Sequence, residues 1–336
     1  MNRISPQQFA TLVLINDFFA LICLGGEVSL MTMTGFILGI LLQGILCIPL
    51  VRLIDSGADL QQKWLCIVLC GYIILWGGQI FSLLWSTSEV IYIPYEASGT
   101  AGKLLIAAVL GAVSLYCASC GIKALSRSAV IAAGIGVLSL VVIIVSAVTN
   151  ARWENLTAPV SPSAGSQLVR GLSLSGGMGS FAALLGNVKG EPRKTVMGYF
   201  SARSLLTVLI LLPTLLLTGG IMSITEFPVV MAAQLSQPFS SQRIDSLFLL
   251  AFSVSGVFSA ALQTNAAAGL LKKAFPEFRK LRNSSVIAAM ILTAVLLSGR
   301  KFPWQTVFLI WLIPAAELII RRLPQTQFRQ HRTKSA

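Results

Sequence analysis

The feature that most constrains this chain is a succession of continuously apolar stretches, each long enough to cross a bilayer. Residues Val137 to Val148, for example, read VLSLVVIIVSAV, with no charge and no alternation. A spanning helix needs roughly 20 such residues, because without water every backbone polar group has to be satisfied inside the segment. The clearest runs lie at about 8–25, 31–53, 65–88, 103–120, 126–149, 170–187, 196–221, 244–271, 284–299 and 303–321. They predict an all-α polytopic membrane protein with ten transmembrane helices. A transmembrane barrel is excluded, since its strands alternate apolar and polar residues with period two. The first run lacks a small-x-small cleavage site before a polar domain, so it reads as a retained helix and not a signal peptide. Runs and connectors absorb almost all of the 336 residues, leaving no room for a soluble catalytic or nucleotide-binding module.

Charge sets the expected orientation. Only 11% of the residues are charged, far below the quarter typical of soluble domains, yet 25 are basic and 12 acidic, a formal net charge of +13. With an inside amino terminus, eighteen Lys and Arg fall in cytoplasmic connectors and six (Lys103, Arg152, Arg170, Arg243, Arg300, Lys301) on the opposite face, while Arg203 lies within a span. The positive-inside rule then puts both termini in the cytoplasm and requires an even number of spans. Residues 1–322 form a single transmembrane domain, and 323–336 a basic cytoplasmic tail. That tail reads as an anchor near anionic lipid, not as a nucleic-acid arm. Ten spans also divide into two fives of opposite polarity, at about 1–150 and 151–322. Many secondary transporters are inverted repeats of this kind, with substrate held near the midplane where a helix is broken.

Two places carry polar chemistry at membrane depth. In the sixth run, Gly171-Leu-Ser-Leu-Ser-Gly-Gly-Met-Gly-Ser180 packs four glycines and three serines into ten residues. Each glycine costs roughly 1 kcal/mol relative to alanine in a helix interior, so Gly176, Gly177 and Gly179 predict either unwinding beside a cavity or close helix packing. An unwound Ser175, Gly176, Gly177, Met178, Gly179 and Ser180 can hold a ligand carboxylate on backbone amides. In the first run, Asn16-Asp17 sits near mid-membrane, where a carboxylate needs a partner, a proton or a water-filled cavity. Arg203 is the possible charge partner, the one cation inside an apolar run. Asp17 is thereby a candidate ligand for a substrate ammonium, a proton carrier, or half of a structural pair.

Other signals rank lower. Gln43, Gln79, Gln263 and Asn265 fit interhelical hydrogen bonding better than a pathway. Glu89, Asp245 and Glu317 lie near span ends and are expected to reach interfacial water. The six cysteines fall in or beside apolar runs and read as small buried hydrophobes. One histidine, His331, in the tail argues against a metal site, and no hydrolase, zincin or phosphate-loop motif is present. Neither catalysis nor a cofactor is expected.

The connectors add a resemblance. Ile4-Ser5-Pro6-Gln7-Gln8, Gly121-Ile122-Lys123-Ala124-Leu125-Ser126-Arg127, Glu154-Asn155-Leu156 through Pro159, and Gln242-Arg243-Ile244-Asp245-Ser246-Leu247-Phe248 occur in the order seen in spore germination permeases. The chain resembles that family, the B subunits of germinant receptors, over nearly its whole length. The family is grouped with the amino acid-polyamine-organocation transporters. The resemblance therefore implies a LeuT-like five-plus-five bundle with interrupted first and sixth helices. It implies a subunit of the inner spore membrane that binds a small germinant such as an amino acid, beside an A-type membrane subunit and a C-type lipoprotein. Its pocket would be Asn16, Asp17, Phe18 and Phe19 with Ser175–Ser180. The alternatives are a proton-coupled amino acid permease of a bacterial cell membrane and a structural membrane subunit without ligand binding. The sequence departs from the family pattern at Asp17-Phe18-Phe19-Ala20, where a small-residue break is common, and at Ala251-Phe252, where a tryptophan is common.

Overall fold

A computed structural model describes residues 4–26, 28–56, 62–92, 100–156, 164–174, 178–219, 227–235, 245–276, 283–296 and 310–322. The described residues are helical apart from short connectors and one isolated bridge, Ile4 with Val188. Its backbone bonds, Ile4 N–H to Asn187 O at 3.1 Å and Lys189 N–H to Ile4 O at 2.9 Å, tie the start of the chain to a distant connector.

Helix α1 (Pro6–Ile22) starts where the sequence dictates. Ser5 accepts a hydrogen bond from the Gln8 amide, the Gln8 side chain returns one to the Ser5 amide, and Pro6 stands at the first helical position. The helix then runs unbroken through Asn16, Asp17, Phe18 and Phe19. This corrects the expectation that the first span is interrupted there. No glycine or proline lies between Gln7 and Leu24 to release a backbone bond, and the chain leaves the helix only at Cys23–Gly26, where Gly26 adopts φ +81°.

Next come α2 (Leu30–Leu46) and α3 (Ile48–Asp55), which together form one long apolar span with Pro49 at the joint. After them follow α4 (Lys63–Tyr92), α5 (Thr100–Ser119) and α6 (Ile122–Asn150). The expected sixth span is divided. Helix α7 (Ala164–Leu174) carries the first residues of the glycine-rich segment, Met178 forms a turn, and α8 (Gly179–Leu184) begins after it; Ser175, Gly176 and Gly177 lie outside the described residues. Then come α9 (Pro192–Thr218), α10 (Pro228–Leu235), α11 (Asp245–Ala274), α12 (Asn283–Leu296) and α13 (Leu312–Arg322). Among the described residues five helical stretches are long and apolar enough to cross a membrane: Leu30–Asp55, Lys63–Ser86, Ile122–Val148, Pro192–Thr218 and Leu247–Ala274. Shorter apolar helices cover Ala108–Ser119 and Asn283–Leu296. The count of ten and the inverted repeat thus still rest on the sequence.

Helix α11 is the hub, packed against α1, α4, α5, α6 and α8. Its buried Ala260, Ala261, Ala266, Ala267 and Ala268 allow close approach of its neighbours. A second tight contact joins α2 to α7. A Cβ added at Gly35 would fall inside contact distance of the Leu168 carbonyl, and one at Gly171 would do the same at the Thr32 carbonyl. Beside this crossing, Ser29 caps α2 through the Thr32 amide and also meets Gln167 of α7, while Arg170 donates to the Gly25 carbonyl at 2.5 Å. Gly35→Ala forces two backbones apart and is expected to cost about 1–3 kcal/mol, the range of an overpacked interior. The lowered thermal midpoint of the detergent-purified chain measures it, and an unchanged midpoint refutes the close crossing.

Candidate functional site

Successive helical residues point about 100° apart, so Asn16 and Asp17 of α1 face different neighbours. Asp17 faces α9. Its Oδ2 accepts a hydrogen bond from the Tyr199 hydroxyl at 2.5 Å, and its Oδ1 lies 3.3 Å from Arg203 Nε. Tyr199 and Arg203 are four residues apart on α9 and share one face, the spacing that brings both onto one carboxylate. Arg203 also donates through Nη1 to Gln43 Oε1 of α2 at 3.0 Å and lies 3.5 Å from the Met178 sulfur. Both charged side chains are almost wholly buried, at 3% and 2% exposure. A buried charge is tolerable only when paired and hydrogen-bonded, and this carboxylate and this guanidinium meet that condition together.

Asn16 faces the other way. Its Oδ1 accepts from Gln263 Nε2 of α11 at 3.2 Å and from Trp76 Nε1 of α4 at 3.5 Å. Gln263 Nε2 also reaches Ser180 Oγ, at the start of α8, at 3.2 Å. Asn16, Ser180 and Gln263 are completely buried. Within this group the Asn16 Nδ2 donor and the Gln263 Oε1 acceptor have no hydrogen-bond partner among the described residues. Buried polar atoms are overwhelmingly satisfied in folded proteins, so a free donor and a free acceptor on adjoining amides mark a place suited to a polar guest.

The sequence candidates are therefore brought together only in part. Two buried polar groups flank α1: Asp17, Arg203 and Met178 with Tyr199 on one side, and Asn16 and Ser180 with Gln263 of α11 on the other, together a polar layer. Phe18 instead forms a wall of an apolar cavity of about 370 Å³ together with Leu14, Gly136, Leu206 and Ala251. Phe19 stacks on Phe252 with ring centroids 5.6 Å apart. Gly179 faces α4, where an added Cβ would crowd Tyr72 and Ile73 at 2.9 Å, so its part is close packing. Tyr199 was not singled out by the sequence; the signal for it was its position one helical turn before Arg203. Gln43 and Gln263, expected as interhelical bonding amides, are members of the layer. Phe181 packs beneath it, with its centroid 4.8 Å from Tyr199 and 5.4 Å from Phe9.

Glu317 requires a correction. Expected at the interface, it is completely buried on α13 and accepts from the Gln62 amide at 3.2 Å, because α13 packs against α3 and α4. The six cysteines are free thiols, with Cys23, Cys47, Cys66 and Cys70 buried and Cys120 exposed. Among the described residues no cluster of His, Cys, Asp and Glu is arranged to hold a metal.

No protein-family model and no curated protein matches the chain. Among solved structures, the fold is similar to that of Mhp1, a nucleobase-cation-symport-1 family transporter in a closed conformation with bromovinylhydantoin bound. The TM-score is 0.63 and the identity 13%, and the match covers 96% of this chain and 80% of that one. At that identity the likeness concerns the fold. The chain is an α-helical integral membrane protein whose fold is similar to that of this transporter, with polar side chains buried between its helices.

The ion pair yields a double-mutant test. Arg203→Met or Asp17→Asn alone leaves one buried charge unpaired and is expected to cost about 3–5 kcal/mol, whereas the double variant recovers much of that loss. Thermal unfolding of the four proteins gives the coupling. Additive losses would show that the two groups do not interact.

Proposed function

We propose that the chain recognises a small polar solute between its helices and acts as the membrane B subunit of a spore germinant receptor. One observation carries the recognition: the completely buried Asn16–Gln263–Ser180 cluster, which retains an unused donor and an unused acceptor beside the Asp17–Arg203 pair. Of the eight buried side-chain atoms without a hydrogen-bond partner among the described residues, these two sit on amides that are bonded to one another, and a zwitterion or an amide supplies the complementary acceptor and donor. The transporter fold supports a guest at this level, and the solved neighbour holds a small molecule. The germinant role rests on the connector motifs, as do the amino acid ligand, the A-type and C-type partners and the inner spore membrane. Ten spans, an inverted repeat and cytoplasmic termini belong to the same reading.

Sensing requires a difference in affinity for two arrangements of the bundle, since a ligand that binds both equally shifts nothing. The divided sixth span is suited to this. Helix α8 has only six residues and is held between α4 and α11, so a guest against Ser180 bears directly on its position.

A proton-coupled amino acid permease is the second reading, supported by the same fold. Against Asp17 as its mobile proton carrier stands the guanidinium already placed on that carboxylate. A structural subunit without a ligand is the third.

A thermal-shift screen of the purified chain against amino acids and related polar solutes separates these readings. A ligand at 100 times its Kd stabilises by about 2.7 kcal/mol. Gln263→Leu is expected to abolish the shift while the ligand-free protein stays folded. A hit that is also accumulated by proteoliposomes containing the chain alone favours the permease, and no hit at all favours the structural subunit.

A further inference from the structure

Apart from the polar layer, the described residues form a groove along the seam of α6 and α9. It consists of two cavities, of about 370 and 310 Å³, that share Ile144 and Leu209 and are thus end to end. Small residues open it on the α6 side: Ala132 and Gly136 one turn apart, then Ala147 and Ala151 one turn apart. On the α9 side Pro213 interrupts the helical bonding toward Leu209 and widens the second cavity. Its rim residues Val137, Val148 and Leu205 are 60%, 78% and 60% exposed, so the groove opens on the outer, apolar surface of the bundle.

The mouth of the groove is different in kind. Where α6 ends, the chain turns through a short 3-10 helix (Trp153–Leu156) that is fastened to the end of α9. Arg152 N–H and Asn155 Nδ2 both donate to the Leu216 carbonyl, at 3.3 and 2.9 Å. Trp153 lines the second cavity and is 70% exposed, and the Arg152 side chain beside it is exposed as well. An exposed arginine on an anchored backbone and an indole at the end of an apolar trough match the level at which lipid head groups meet hydrocarbon.

We infer that this groove is a binding site for one phospholipid of the outer leaflet, with the phosphate at Arg152, the glycerol region against Trp153 and one acyl chain laid between α6 and α9. From Ala132 to Ala151 the trough runs roughly 28 Å at 1.5 Å per residue, about twice the roughly 15 Å depth of one leaflet. A chain entering beside Trp153 therefore fills the outer cavity and ends where the two cavities meet, at Ile144 and Leu209. A partner helix fits poorly, since with side chains it measures about 10–12 Å across and cannot enter cavities of this size.

Photolabelling tests the site. The whole chain is placed in phosphatidylcholine nanodiscs with a trace of phosphatidylglycerol bearing a diazirine at the end of one acyl chain. Label is expected to concentrate on peptides containing Gly136–Ile144 and Leu205–Leu209. Arg152→Ala, an exposed change that leaves folding intact, is expected to reduce it by about two- to fivefold, the worth of an exposed charge contact. Ala151→Trp, which blocks the mouth, should move label to other helices. A diazirine diacylglycerol, which lacks the phosphate, should label the seam weakly and without regard to Arg152. Even labelling of all outward helices overturns the proposal, as do equal labelling by the diacylglycerol and cross-linking that shows a second copy of the chain covering the seam.

Discussion

The structure depends on one interaction, the buried pairing of Asp17 with Arg203. Taking either charge out of water alone costs several kcal/mol, and both are essentially inaccessible. That cost can be met only if α1 and α9 stay in register, because the carboxylate takes Tyr199 and Arg203 from two successive turns of one helix. Gln43 then brings in α2 through the same guanidinium. Three helices are located by one polar contact in surroundings where apolar packing alone discriminates weakly, since lipid is as apolar as a leucine side chain.

Around this point the molecule alternates tight and loose seams. The α2–α7 crossing is closed to backbone contact by Gly35 and Gly171, and α11 is held by its buried alanines. The α6–α9 seam is looser, with Ala132, Gly136, Ala147 and Pro213 lining two cavities along it. Small residues thus act in two ways here. Where a backbone approaches they close an interface, and where none does they leave a trough.

The division of the sixth span gives the polar layer its character. Met178 precedes α8 and turns its sulfur toward Tyr199 and Arg203, at 3.8 and 3.5 Å, so the layer is partly filled by the protein's own side chains. On the far side of α1, Asn16 and Gln263 each keep one buried atom without a hydrogen-bond partner among the described residues.

The sequence by itself determined the class of fold. Runs such as Val137–Val148 permit only membrane helices, and a carboxylate at position 17 with a cation at position 203, both within such runs, names two groups that each need a partner or a proton. These are local or compositional facts, and helix formation in lipid is a local requirement. The tertiary structure alone decided how these groups were shared out. It kept α1 intact through Asp17-Phe18-Phe19, gave Tyr199 a role that no motif marks, buried Glu317 under α3 and α4, and turned Phe18 toward a cavity while its neighbour Asp17 faces a guanidinium. Periodicity says which residues share a helical face, but which helix that face meets depends on contacts between segments as much as 255 positions apart, as with Gln62 and Glu317. No pattern within either segment encodes that meeting.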